Sequence, residues 1–221
     1  MSSETIQLLE ENEFFLVLDK LEKVSIHNQS PSVAEFLQKR QKPLHFINRL
    51  DSETSGLVLV AQKPEYHQAL AEAFSGGHKI YRALLRSPWK STETETRWAW
   101  PLTDRAEGRK NPQGIRSEQK TAETVIQVLR TNRYFTEIQA EILTGRQHQI
   151  RKHAALAQHP IVGDTRYNDE KYNRQIEKFY RSSRMHLHAE KIIMSWQGKS
   201  YTFFSEYRLD HFFSEAGASP V

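Results

Sequence analysis

The sequence predicts an α+β fold, a mixed and largely antiparallel sheet with flanking helices. Two observations carry that prediction. Segments whose apolar residues recur with period two outnumber segments with helical spacing by seven to three. Neighbouring strand-like segments are also often joined by short turns, which suits antiparallel pairing better than a doubly wound parallel sheet.

In chain order the strand-like segments are Phe14–Asp19 (FFLVLD), the fully apolar Leu57–Ala61, Lys79–Arg86, Thr124–Arg130, Tyr134–Leu143, His186–Ser195 and Ser200–Phe204. Ser32-Val-Ala-Glu35 has capping-box spacing and opens a helix running to about Arg40. Pro64 suits the first turn of a second helix, which Gly76-Gly77 ends. A third spans Gln147–Gln158 and stops at His159-Pro160, because a residue before proline is biased away from helical backbone. Residues 87–119 are polar, hold Pro88, Pro101 and Pro112, and have the weakest periodicity. They read as a basic surface excursion, a lid or docking loop, because strand-like sequence continues on both sides. One catalytic-size domain over residues 1–221 is the expectation.

The chain has 221 residues and no cysteine, which excludes disulfides, iron–sulfur clusters, thiolate zinc sites and cysteine nucleophiles. No apolar run approaches the roughly 20 residues of a membrane span, and the N-terminus shows no secretory pattern. A soluble cytoplasmic protein is expected. The charge is uneven. Residues 1–75 carry seven Lys and Arg against eleven Asp and Glu, a net of −4, while residues 76–221 carry 24 against 16, a net of +8. Such asymmetry favours a polyanion, nucleic acid above all; the alternative is the solvated surface of a basic protein.

Several clusters bear chemistry. In Asn48–Gly56, Asp51 can serve as nucleophile or base with Arg49 or another cation holding it ionised, or the segment is simply an Asp/Ser/Thr turn. Asp51 with Glu53 as a glycosidase pair ranks low, because those carboxyls must flank one bond. In Gly145–His153, Ile150, Ala154 and Ala157 recur at helical spacing and face the core. Arg151 stands beside that stripe, where it can point along the surface toward a cleft; a basic surface helix is the alternative. His148 and Lys152 share a face, while His148 and His153, five apart, do not share one for a metal. His186 and His188 alternate along a strand without a third ligand nearby and read as a structural or solvent-exposed pair. Tyr81 alone is a half-buried strand aromatic. Trp89, Trp98 and Trp100, interleaved with Lys90, Arg97 and Arg105, suit stacking on RNA bases or packing of the excursion onto the body.

Taken together the motifs resemble a known family. Asn48-Arg-Leu-Asp-Ser-Glu-Thr-Ser-Gly-Leu-Val-Leu59 is similar to the HRLD-x-x-TSG-L-hydrophobic motif of the RluA family of RNA pseudouridine synthases. Lys79-Ile-Tyr-Arg-Ala83 resembles that family's K-x-Y-x-A strand. Gly145–His153 followed by His159-Pro-Ile-Val-Gly-Asp164 resembles its GR-T-HQIR-x-H and HPI-x-GD block, and Leu187-His-Ala189 a further element. The match spans roughly residues 12–205 in order and register, and linked motifs are far more specific than any one alone.

The resemblance implies the pseudouridine synthase catalytic fold and isomerisation of a uridine in RNA without cofactor or metal. It places Asp51 on the catalytic aspartate that attacks or deprotonates the ribose, so that the C1′–N1 bond breaks and the uracil rejoins through C5. Tyr81 falls on the aromatic packed against the flipped uracil, and Arg151 on the cation that pairs with the aspartate. Arg49 falls near the flipped nucleotide, and Asn48, Arg146, His148, Ile150 and Lys152 are assigned to substrate binding with it. Asn48 stands where the family usually has histidine, Gln147 where it has threonine, and Asp19-Lys20-Leu21-Glu22-Lys23 where it reads N-K-P-x-G. The chain begins at the catalytic domain with no room for an S4 domain. That form, with Asn173 and the basic Lys171–Arg184 stretch, resembles the tRNA-modifying TruC branch. The expected partner is therefore RNA, with tRNA ahead of rRNA, and the expected state is a monomer away from membranes. An RNA-binding or RNA-folding protein with the same fold and little or no catalysis is the alternative.

Overall fold

The structure, a computed structural model, describes residues 5–27 and 29–214. The strands are β1 (Ile6–Glu11), β2 (Phe15–Lys20), β3 (His45–Phe46), β4 (Ser55–Ala61), β5 (His78–Arg86), β6 (Glu95–Trp98), β7 (Thr124–Thr131), β8 (Phe135–Ile142), β9 (Leu187–Trp196) and β10 (Lys199–Phe204). The helices are α1 (Val33–Gln38), α2 (Pro64–Gly76), α3 (Gln149–Leu156) and α4 (Glu170–Tyr180). The chain folds into two compact units, one of Met1–Lys79 with His188–Glu206 and one of Ile80–Leu187 with Tyr207–Val221.

In the first unit β2 pairs antiparallel with β1 and with β4, Phe15 opposite Ala61 and Lys20 opposite Gly56. The two-residue β3 also pairs with β4. β4 runs parallel to β9, Ser55 opposite His188, and β9 turns back antiparallel into β10. Every residue of β4 is buried, which explains why its sequence lacks a polar face. Its core joins Phe15, Val17, Leu57 and Leu59 to Leu70 of α2 and to Ile192, Met194 and Phe203. Gly56 has φ +112°, and a Cβ there would overlap the Ala189 backbone. Only glycine lets β4 and β9 approach at that point.

In the second unit β5, β8, β7 and β6 form an antiparallel run, with Tyr81 opposite Ala140, Ile126 opposite Ala140, and Trp98 opposite Thr124. Period two separates the faces of β5. Ala83 and Leu85 pack with Ile126, Ile138, Ile150 and Ala154, whereas Leu84 packs with Phe135, Val162, Ile176 and Phe212. α3 therefore lies in one core and α4 in the other.

The α+β prediction holds, and so do the seven strands and three helices, with ends displaced by a few residues. α1 has the full capping box, Ser32 Oγ accepting from Glu35 N and Glu35 Oε2 from Ser32 N. α3 starts at Gln149 instead of Gln147, because His148 adopts the left-handed conformation, φ 56° and ψ 28°. The sequence reading omits β1, β3, β6 and α4. Five of six β1 residues are exposed, so no alternation marks it. β6 lies inside the excursion, where only Trp98 of its four residues is buried. That settles Trp98 as a packing residue; Trp100 remains 38% exposed.

Candidate active site

The loop carrying Asp51 hangs between Leu50, which is buried, and the buried pair Thr54-Ser55 at the head of β4. Asp51 itself is half-buried. What shapes the loop is an ammonium group. Lys20, fully buried at the end of β2, donates to the carbonyls of Asp51 (3.1 Å), Ser52 (3.3 Å), Thr54 and Leu21 (3.4 Å). Thr54 N also donates to the Asp51 carbonyl at 3.1 Å, closing a turn. A buried cation is tolerated where several oxygens converge on it, and here they converge from the segment bearing the carboxylate.

Asn48 holds the other side of the loop. Its Nδ2 donates to the Leu57 carbonyl (3.1 Å) and its Oδ1 accepts from Leu59 N (2.8 Å). An amide carries one donor and one acceptor side and can extend the β4 ladder in this way. Arg49, next to it, is exposed. Behind the loop, Ser55 Oγ lies 2.8 Å from His188 Nδ1 and His188 Nε2 lies 3.2 Å from the Ser205 carbonyl. A carbonyl can only accept, so Nε2 carries a proton, and in the neutral ring Nδ1 accepts from the serine. Ser205 Oγ in turn donates to Asp19 Oδ2 at 2.5 Å.

The second unit presents Arg151. Its guanidinium is 1% exposed and grips Asp164 with two donors, Nε to Oδ2 at 2.8 Å and Nη2 to Oδ1 at 3.0 Å. The sequence expectation that Arg151 lies along the surface is corrected here: the fork geometry of Asp164 draws it inward. Asp164 Oδ1 also accepts from Arg166 N (2.8 Å) and Tyr167 N (3.0 Å). Gly163, at φ +80° and without room for a Cβ against the Arg184 carbonyl, makes the turn that presents it. The Tyr167 ring lies 5.4 Å from the Arg151 guanidinium, and its hydroxyl is 3.1 Å from His148 Nδ1. Tyr81 is half-buried against the core that also holds Ile150.

Of the residues assigned to substrate binding, Arg146 is anchored by Nε to the Thr121 carbonyl at 3.0 Å and lies 3.6 Å from Asp104. Ile150 is a core residue. Lys152 is buried and donates to the Thr103 carbonyl at 2.8 Å. Burial pulls its pKa below the usual lysine value, against the opposing charges of Glu107 and Asp104. His153 is buried between Thr124 Oγ1 and the Trp100 carbonyl, each 2.9 Å away. Burial lowers its pKa, although its bond to that carbonyl favours the protonated ring. His186 bridges Ser182 Oγ (2.9 Å) and Tyr207 OH (2.7 Å), and burial pushes its pKa well below the usual histidine value. Both His186 and His188 are buried and bonded, which decides for the structural reading over the solvent-exposed one. No cluster of three or more His, Asp or Glu fit to hold a metal occurs among the described residues, and none of their helices is long and apolar enough to cross a membrane.

Lys20, Asp164, Tyr167 and Ser205 are the site residues to which the sequence reading gave no role. Lys20 and Asp164 were inside quoted motifs, so their positions were visible and only their partners were not. Tyr167 and Ser205 carried no signal, since each acts through a contact distant in sequence.

The chain belongs to the RNA pseudouridylate synthase family, whose match covers residues 15–156 and so every candidate site residue named from the motifs. It is 31% identical over 212 residues to the ribosomal large subunit pseudouridine synthase C of Escherichia coli (strain K12), covering 92% of this chain and 66% of that protein. The enzyme of that name from Pasteurella multocida (strain Pm70) is 31% identical over 194 residues, 84% of this chain and 59% of the relative. The chain thus spans slightly less than two thirds of the length of such relatives. Among solved structures, human RNA pseudouridylate synthase domain containing 1 matches with TM-score 0.75 at 22% identity, covering 92% of this chain and 84% of that one. Human RNA pseudouridylate synthase domain containing 4 matches with TM-score 0.74 at 20% identity, covering 93% and 90%. Those likenesses establish the fold.

Proposed function

We propose that the protein is an isomerase that converts a specific uridine of a structured RNA to pseudouridine, the two units acting as one catalytic domain. Asp51 supplies the carboxylate that attacks or deprotonates the ribose. The C1′–N1 bond breaks, the uracil turns, and it rejoins through C5, so no cofactor is consumed. Tyr81 packs against the flipped uracil, and Arg151, its orientation set by Asp164, is the cation that pairs with the Asp51 carboxylate. Extruding the nucleotide from its stack is the step for which exposed Arg49 is suited.

The observation that carries this function is the family match, which includes Asp51, Tyr81 and Arg151 together. The Lys20 cage supports it, since a carboxylate held by a rigid backbone is positioned for chemistry. As to the RNA, the names of the relatives favour a large-subunit rRNA uridine, while Asn173 and the basic Lys171–Arg184 stretch favour tRNA. Pseudouridine mapping of total RNA from cells with and without the gene decides between them: the lost site names the substrate. Asp51→Asn should abolish product formation while leaving RNA affinity nearly intact. Full activity in that variant would refute the role of Asp51, and no lost site in the cells would favour an RNA-binding protein without catalysis.

A further inference from the structure

The second unit contains a pocket of about 350 Å³ that the proposed chemistry does not use. Its apolar lining is Ala155 and Pro160, and its polar groups are Arg86, Arg109, Tyr167, Asn168 and Asp169. Arg86 ends β5 and is half-buried, held flat by the Tyr172 ring 4.3 Å from its guanidinium carbon. Its nearest polar side-chain partner is Asn168 Oδ1, at 3.5 Å, the long limit of a hydrogen bond. Among the described residues no carboxylate lies within ion-pair distance of Arg86.

Several cations of the same unit hold an acid: Arg105 with Glu118 (3.1 Å), Lys120 with Asp104 (2.9 Å), Arg109 with Asp169 (2.5 Å). Among the described residues, cations without one, such as Lys90 and Arg133, are exposed to water, whereas Arg86 is half-buried. Asp169 is the only carboxylate in the pocket lining, and it is occupied twice, by Arg109 and by Tyr172 N at 3.1 Å, where it caps α4. The lining therefore keeps one positive charge in excess. A guanidinium taken half out of water without a counter-charge is costly unless an anion completes it. Tyr172, on which Arg86 rests, adds a buried hydroxyl with no hydrogen-bond partner among the described residues.

We propose that this pocket is a phosphate-binding site in which Arg86 and Arg109 take the anion and Asn168 offers an amide. Planar guanidinium forks match phosphate oxygens, and the volume accommodates a nucleotide. The phosphate comes either from the RNA strand at a nucleotide other than the target, a source that rests on the proposed function, or from a free phosphate ester.

The test uses the full chain and its Arg86→Gln and Arg109→Gln forms. RNA affinity is measured against salt concentration with a large-subunit rRNA transcript and total tRNA, and inorganic phosphate and uridine 5′-monophosphate are titrated separately. For an RNA phosphate, each substitution lowers the slope of log affinity against log salt by roughly 0.7–0.9. For a free ester, phosphate or the monophosphate saturates the wild type, Arg86→Gln abolishes saturation, and the RNA slope stays unchanged. If neither slope nor titration responds to either substitution, the proposal is overturned. Should Arg86→Gln fail to fold, Arg109→Gln, an exposed change, and the shift of the Arg86 Nε–H resonance on adding phosphate give the same decision. None of these readouts needs turnover, so loss of the isomerase function would leave them interpretable.

Discussion

Lys20→Met tests how the Asp51 loop is held. Methionine keeps the volume of the lysine stem and removes the ammonium that meets four carbonyl oxygens. The Asp51 carbonyl retains Thr54 N, but those of Ser52, Thr54 and Leu21 lose a charged donor. An orphaned buried acceptor costs about 1–3 kcal/mol, the high end applying to the Thr54 carbonyl because its donor is charged, while the part-buried Ser52 and Leu21 carbonyls add little. Burying an ammonium carries its own desolvation penalty, and its removal offsets part of that loss. We expect a net destabilisation of about 2 kcal/mol, a drop of about 1 M in the urea midpoint at a slope near 2 kcal/mol/M. Misplacing a catalytic group by an ångström costs on the order of 100-fold in rate, so pseudouridine formation should fall far more than RNA affinity. Amide exchange at Thr54 and Ser55 should quicken while that of the β8 core does not. An unchanged midpoint with unchanged product formation would show that the ammonium does not set the loop.

Other expectations follow from the same packing. Gly56→Ala forces a Cβ into the Ala189 backbone at φ +112° and should cost more than 3 kcal/mol or prevent folding, read by circular dichroism and soluble yield. Asp164→Asn removes the buried charge that Arg151 grips with two donors and should destabilise by about 3–5 kcal/mol in urea unfolding. His153 and His186 both have folded pKa values below the ordinary 6.5 because of burial. The unfolded chain then binds more protons than the folded one, so stability is full above about pH 6.5 and is lost as pH falls from there through the folded values. A urea midpoint that stayed level between pH 7 and 5 in wild type, with no relief in His186→Gln, would count against it.

Much of the fold was legible because its strands repeat with period two and its helices carry explicit stops. Pro64 at the first turn and the Ser32–Glu35 capping box are local signals, and local signals survive in sequence. α4 shows where charge masks pattern: Tyr172, Ile176 and Tyr180 recur every four residues, yet Lys171 before them and Arg174 and Lys178 between them made the segment read as a basic stretch. At the site, Asp51 and Arg151 stood out through their motifs. Their supports did not, because Lys20 reaches Asp51 across 31 residues and His188 reaches Ser55 across 133. A hydrogen bond spanning that separation leaves no periodicity to read. The departure at Asn48 becomes intelligible only with β4 in place, where its amide continues the ladder.

The parallel pairing of β4 with β9 bears on synthesis. β4 ends at Ala61, and its partner begins at Leu187. A ribosome adding about 5–20 residues per second needs roughly 6–25 s to deliver that partner after β4 has emerged. For that interval Ser55 and Gly56 lack their strand partner, and the apolar face of β4 lacks Ile192, Met194 and Phe203. Nascent chains stalled before residue 187 should therefore recruit chaperones that chains carrying β9 and β10 release.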